Sequence, residues 1–146
     1  MEKSANYIIL PELKLILECC KGQATPQDII LLKKIELLDK YYRHDYNVIV
    51  DFREFENFIT STTNKSILNL LNFLKEIGVK CKVALLTTKP HQVVVTEIIK
   101  RLSVDFSTFK FETFSTLEAA IKFVGFSIDC FELINNKLIE LNENTV

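Results

Sequence analysis

Two short apolar runs, residues 48–50 (Val-Ile-Val) and 82–87 (Lys-Val-Ala-Leu-Leu-Thr), constrain the fold of this chain most strongly. Both runs are apolar on both faces, so each predicts a central strand that helices cover on two sides. The segment between them carries a helical stripe from Ile67 to Ile77. Strands that alternate with helices of about 10 to 15 residues predict parallel βαβ units with right-handed crossovers.

The residues before the first central strand predict a hairpin and a helix. Residues 6–10 and 13–20 are strand-like runs joined by a short turn, which is the pattern of an antiparallel hairpin. In the second run, alternation predicts that Glu18 lies on the polar face. The Thr25-Pro26 pair is a typical helix start. Helical spacing then predicts a buried stripe at Leu31, Ile35, Leu38 and Tyr42.

The second half of the sequence continues the alternation. It predicts a helix over 94–102, an outer strand over 108–114, and a helix whose capping box runs from Ser115 to Glu118. The predicted order is β-β-α-β-α-β-α-β-α plus a C-terminal helix. We therefore expect a single α/β domain with a mixed, mostly parallel sheet and flanking helices over 1–125. Residues 126–146 are expected to add an amphipathic helix and a polar end.

Composition excludes several classes of protein. The chain has 146 residues, of which 48% are hydrophobic and 25% charged, and its net charge is -1. Such a composition is typical of a folded globular domain and not of a disordered or collagen-like chain. A basic surplus is the usual mark of nucleic-acid binding, so no nucleic-acid partner is expected. No apolar run reaches the roughly 18 residues of a membrane span.

The four cysteines, Cys19, Cys20, Cys81 and Cys130, form no C-x-x-C pair and have no histidine at ligand spacing. We interpret them as reduced and mostly buried thiols of a cytoplasmic protein. A tetrahedral zinc ligand set is missing, as are a Walker loop, a dinucleotide fingerprint and a nucleophile elbow. The sequence thus predicts no metal, no cofactor and no catalytic residue.

Three phrases resemble the STAS (SpoIIAA-like) domain family, which contains the anti-sigma-factor antagonists. Residues 48–52 (Val-Ile-Val-Asp-Phe) are similar to the family's strand that ends in an acidic residue. Residues 58–61 (Phe-Ile-Thr-Ser) are similar to its apolar-apolar-Asp-Ser phrase, with Thr60 in place of the aspartate. Residues 114–120 (Phe-Ser-Thr-Leu-Glu-Ala-Ala) are similar to its last strand-to-helix junction. The resemblance extends over 7–124.

The resemblance implies a STAS-like fold and a non-enzymatic bacterial regulatory or protein-interaction module. It also implies that Ser61 matches the serine that antagonists carry as a phosphorylation target. The expected partner is a protein or a small ligand that docks at one edge of the sheet.

Ligands of parallel α/β sheets gather at the carboxyl ends of the strands. The strand-to-helix junctions there are rich in hydroxyl groups and helix N-termini, which suit a phosphate or a carboxylate. Helix capping alone also accounts for these hydroxyl groups. Asp51 and Arg53 are expected to form an ion pair. The candidate edge residues are Arg53, Thr60, Thr62, Thr87, Lys89, His91 and Ser115.

Two alternatives stay open from the sequence. The same fold with its many phenylalanines is compatible with a binding protein for a small or lipid-like ligand, and an enclosed apolar cavity of several hundred Å³ would favour this alternative. The C-terminal stripe, from Phe131 to Leu141, must be buried either on the chain's own sheet or against a second copy. Because the domain looks complete at Val124, a homodimer through this helix is slightly favoured.

Overall fold

The strands pair in the order in which they occur in the sequence, and together they form one mixed sheet. The computed structural model describes residues 4–56 and 64–143. β1 is antiparallel to β2, and β2, β3, β4 and β5 run parallel to one another. The α/β class, the hairpin and the mostly parallel sheet are therefore confirmed. Within the described residues the strands are β1 (Ala5–Leu10), β2 (Leu15–Cys20), β3 (Asn47–Asp51), β4 (Lys82–Leu86) and β5 (Lys110–Phe114).

Helices cover both faces of the sheet. From the second strand to the fifth, each new strand lies next to the previous one and the order always runs in the same direction across the sheet. Right-handed crossovers therefore place the first three helices on the same face. The last two helices pack on the other face, and each face has its own hydrophobic core. The helices of the described part are α1 (Pro26–Glu36), α2 (Asn64–Glu76), α3 (Pro90–Leu102), α4 (Leu117–Phe123) and α5 (Phe131–Glu143).

Local sequence explains several of these boundaries. Thr25 caps α1: its hydroxyl accepts a hydrogen bond from the Asp28 amide at 3.2 Å, and Asp28 accepts one from the Thr25 amide at 2.9 Å. Gly78 follows α2 with a φ of +81°, a left-handed conformation that favours glycine. The predicted helix start at Thr25-Pro26 is thus confirmed.

The predicted buried stripe of α1 is wrong. Leu31 is 49% exposed and Leu38 is 87% exposed, and the helix ends at Glu36. The face that packs on the sheet contains Ile29, Lys33 and Glu36 instead. The reason lies on β2, where Glu18 is only 2% exposed, so its predicted polar face is also wrong. A search for apolar residues at helical spacing does not detect buried ionisable groups. It therefore selected the apolar residues of α1 that are in fact exposed.

Two further boundaries differ from the predicted ones. α3 begins at Pro90 rather than at residue 94, because the Gln92 side chain accepts hydrogen bonds from the Thr88 and Lys89 amides. The N-cap of α4 is Thr116 rather than Ser115, since the Thr116 hydroxyl accepts a hydrogen bond of 3.2 Å from the Ala119 amide.

The C-terminal helix packs on the chain's own sheet. α5 contacts β1 and β2 and buries its stripe in the core that α4 shares. The apolar face that suggested a homodimer through this helix is therefore covered within the chain. The buried residues of the stripe are Ile134, Leu138 and Leu141.

Candidate functional site

A polar cleft of about 1130 Å³ lies where the parallel strands end. Lys21 and Gly22 enter it after β2, Arg53 after β3, Lys89 after β4, and Asn142 from the end of α5. Carboxyl ends of parallel strands are the usual ligand position in α/β sheets. The cleft is therefore the candidate site of the described part of the chain.

Only part of the predicted edge belongs to this cleft. Arg53 and Lys89 line it, whereas Thr87 is buried with its hydroxyl 3.3 Å from the Phe114 carbonyl oxygen. Ser115 is exposed after β5 and is not among the lining residues. Ser61, Thr60 and Thr62, the predicted phosphorylation site and its neighbours, lie outside the described residues.

His91 has a backbone partner. Its Nε2 atom lies 3.1 Å from the carbonyl oxygen of Phe55, so this nitrogen carries a proton and donates it. The side chain thereby ties the start of α3 to the segment that follows β3. This contact gives His91 a structural role at the start of α3.

Arg53 is fixed by Asp51. Its Nε atom lies 3.0 Å from Oδ1 of Asp51, and its Nη2 atom lies 2.9 Å from Oδ2. The Arg53 amide adds a hydrogen bond of 2.9 Å to the same Oδ1 atom. Hydrogen bonding to Asp51 raises the pKa of Arg53 further above its usual range. The expected ion pair is confirmed, and it orients the guanidinium at the cleft.

Gln92 holds the segment after β3 in place, and sequence reasoning missed it. Its side chain is 0% exposed, and its Nε2 atom donates to the carbonyl oxygens of Arg53 at 3.0 Å and Phe55 at 2.9 Å. Its Oε1 atom accepts hydrogen bonds from the amides of Thr88 and Lys89, just before α3. Gly22 pairs with the same segment through hydrogen bonds to Glu54 and Glu56. This rim of the cleft is therefore hydrogen-bonded both to α3 and to Gly22, which follows β2.

Asn142 connects α5 to the same place. Its Nδ2 atom donates to Oδ2 of Asp51 at 3.2 Å, and its Oδ1 atom accepts from the Cys19 thiol at 2.9 Å. Burial raises the pKa of Cys19 to about 12, so the thiol keeps the proton that it donates. The Lys21 ammonium donates to the Asn142 carbonyl oxygen at 3.1 Å. The last turn of α5 is thus part of the cleft wall.

The charges of the cleft do not match a preformed anion site. Its acidic side chains outnumber its basic ones, and Asp51 already takes up the charge of Arg53. An incoming anion would face a net negative lining, whereas a basic surface would be attracted. The acidic members are Asp28, Asp51, Glu54, Glu56 and Glu143, and the basic members are Lys21, Arg53 and Lys89.

A second cavity lies inside the core between the sheet and the first three helices. Its volume is about 40 Å³, and its walls are mostly apolar but include Glu18 and Lys33. Ligand pockets for drug-sized molecules measure about 300 to 1,000 Å³. This cavity has room for a few water molecules and not for a lipid chain.

No protein-family model matches this chain, and its comparison with curated proteins gives no significant match. Among the helices of the described residues, none is long and apolar enough to cross a membrane. The described ranges also hold no group of three His, Cys, Asp or Glu side chains that could bind a metal ion.

Proposed function

We propose that this chain is a non-enzymatic, cytoplasmic regulatory module of bacterial origin with a STAS-like arrangement, and that it acts by docking a partner protein at the cleft. The observation that carries the proposal is the cleft itself, which is wide and open, lies at the strand ends and is lined mostly by polar and charged residues. Sites for small molecules are mostly apolar and enclosed. A protein surface fits the open polar edge better.

The net charge of the lining suggests the chemistry of that partner. Glu54 and Glu56 lie on the rim that Gln92 and Gly22 hold, so their carboxylates are presented from a fixed backbone. We propose that the docking surface of the partner carries a surplus of Lys and Arg. Electrostatic complementarity of this kind sets specificity and association rate more than total affinity.

Ser61 extends the proposal to regulation. It follows the held rim in sequence, and the family resemblance makes it the candidate phosphorylation site. A phosphate adds nearly two negative charges at neutral pH, so it would change the docking of a charged partner. Mass spectrometry of the chain isolated from its native cells tests this step, and unmodified Thr60, Ser61, Thr62 and Thr63 under all growth conditions would refute it.

A charge-reversal pair tests the docking surface. A photo-reactive amino acid at residue 89 identifies a partner by crosslinking, and the purified partner is then titrated calorimetrically. The E54K/E56K double variant is expected to weaken binding at least tenfold by removing attraction. The control is E76K, since Glu76 is exposed at the end of α2, on the amino side of the sheet. Equal effects of both variants would contradict docking at the cleft.

The core space beside Glu18 and Lys33 measures about 40 Å³ and does not favour the lipid-like alternative, which stays a prediction from the sequence. We therefore do not propose it as a second function.

A further inference from the structure

Three ionisable side chains meet under α1, apart from the cleft lining. Glu18 of β2 is 2% exposed, and Lys33 and Glu36 of α1 are 6% and 0% exposed. The Lys33 ammonium forms an ion pair with Glu18 and lies 3.3 Å from Oε1 of Glu36. Apolar side chains of the sheet and of α2 surround the small cavity beside Glu18 and Lys33. The cluster therefore sits in a medium that stabilises charge poorly.

The formal charges of this cluster do not cancel. Two carboxylates facing one ammonium leave one negative charge buried, and an uncompensated charge in the interior is strongly unfavourable. A single proton on one carboxyl group makes the cluster neutral.

The hydrogen bonds also require a proton. Both carboxyl groups contact the same ammonium of Lys33, Glu18 through Oε2 and Glu36 through Oε1. Oε2 of Glu18 receives the Lys33 ammonium, whereas Oε2 of Glu36 has no hydrogen-bond partner among the described residues. Two ionised carboxylates only accept hydrogen bonds, so the two groups that share this ammonium repel each other unless one of them carries a proton that it can donate.

Geometry selects Glu36 as the donor. The ammonium of Lys33 lies nearer to Glu18 than to Glu36, so Glu18 is the better-compensated anion. Glu36 is also the last residue of α1, where the negative end of the helix dipole disfavours an anion.

We propose that Glu36 keeps a proton at neutral pH and donates it to the Glu18 carboxylate, so that this buried acid pair with Lys33 forms a proton-binding site that fastens α1 to β2. This inference goes beyond the proposed docking function and does not depend on it.

The pKa directions agree with this assignment. Burial and the charge of Glu18 raise the pKa of Glu36 well above its ordinary value. Burial also acts to raise the pKa of Glu18, but the Lys33 charge overcomes it and the pKa is lowered. The other titratable groups facing the cluster stay neutral around pH 7, because burial raises the pKa of Tyr7 and of Cys81 to about 12 and also raises those of Cys20 and Tyr42.

The proposed proton makes stability depend on pH. Above the unfolded-state pKa of Glu36, 4.5, the unfolded chain releases this proton while the folded chain keeps it. The contribution of Glu36 is therefore fully present at low pH and decreases as the pH rises towards its folded pKa. One retained proton changes the folding equilibrium constant roughly tenfold per pH unit in this range.

Two isosteric variants and one spectroscopic signal test the site. In chain labelled with 13C at the glutamate carboxyl carbons, the Glu36 signal, assigned by its loss in E36Q, is expected at the protonated position at pH 7. In E18Q, Glu36 becomes the counter-ion of Lys33, so the same signal should move to the carboxylate position. In urea titrations from pH 5 to pH 9, E36Q is expected to remove the tenfold-per-unit trend that the wild-type chain shows.

An ionised Glu36 signal in the wild-type chain at pH 7 overturns the proposal. So does an E36Q variant that keeps the full pH trend. If E36Q fails to fold, sequential NMR assignment of the wild-type chain identifies the Glu36 carboxyl signal, and the position of that signal at pH 7 then decides the question.

Discussion

Arg53 binds both carboxylate oxygens of Asp51, at 3.0 and 2.9 Å, although the two residues are separated by only one position in the chain. Asp51 ends β3 and is 2% exposed, whereas the Arg53 side chain is 31% exposed at the cleft. A buried carboxylate therefore fixes a half-exposed cation. Because Asn142 donates to the same carboxylate, α5 and β3 are joined at this point.

The first prediction concerns this pair. R53A leaves the buried Asp51 carboxylate with fewer donors, and we expect the free energy of unfolding to fall by about 2 kcal/mol. R53K keeps the charge but not the bidentate contact with Asp51, so the free energy of unfolding should fall less in R53K than in R53A. Urea denaturation at pH 7 measures both. The control R101A changes an exposed arginine of α3 and should cost less than about 0.5 kcal/mol; an equal loss would contradict the assigned role of Arg53.

The second prediction concerns Gln92. Q92L removes a buried side chain's hydrogen bonds to Thr88, Lys89, Arg53 and Phe55, and we expect a loss of about 2 to 4 kcal/mol. The amides of Thr88 and Lys89 lose their acceptor, so their hydrogen exchange should accelerate. NMR-detected exchange measures this at single residues. Q27L, an exposed position in α1, serves as the matched variant, and unchanged exchange in Q92L would disprove the anchoring role.

The third prediction compares two leucines. Leu85 of β4 is 2% exposed, so L85A creates a cavity and should cost about 2 to 5 kcal/mol. Leu38 follows α1 and is 87% exposed, so L38A should change the free energy of unfolding by less than about 0.5 kcal/mol. Urea denaturation of both variants checks the assignment. A large decrease in the free energy of unfolding of L38A would instead show that Leu38 is buried, as the sequence pattern predicted.

The order of elements was predictable because it depends on patterns that residues show locally. Runs apolar on both faces, such as 48–50, mark central strands, and the Thr25-Pro26 pair marks a helix start regardless of the rest of the fold. The burial of α1 was not predictable in this way. Lys33 and Glu36 count as polar in any periodicity, and their burial depends on the ion pair that Lys33 forms with Glu18 on another element.

The candidate site shows the same division. The position of the cleft follows from the rule for parallel strands, and Arg53 and Lys89 were found through it. Gln92 and Asn142 were missed because their roles depend on partners far away in sequence, Phe55 and Asp51. A polar residue inside an apolar helical stripe was the available signal for Gln92, and no local pattern distinguished Asn142.

The last prediction concerns α5 and the oligomeric state. Leu138 is 0% exposed in the core beneath α5, so L138A should cost about 2 to 5 kcal/mol, whereas L133A changes a side chain that is 42% exposed and should cost far less. Because the stripe is covered within the chain, we expect truncation after Gly125 to lower stability by exposing Leu10, Leu15 and Leu17. Light scattering should give the same monomeric mass for the wild-type chain and for L138A. A wild-type dimer that becomes a stable monomer on truncation would instead show that α5 joins two copies.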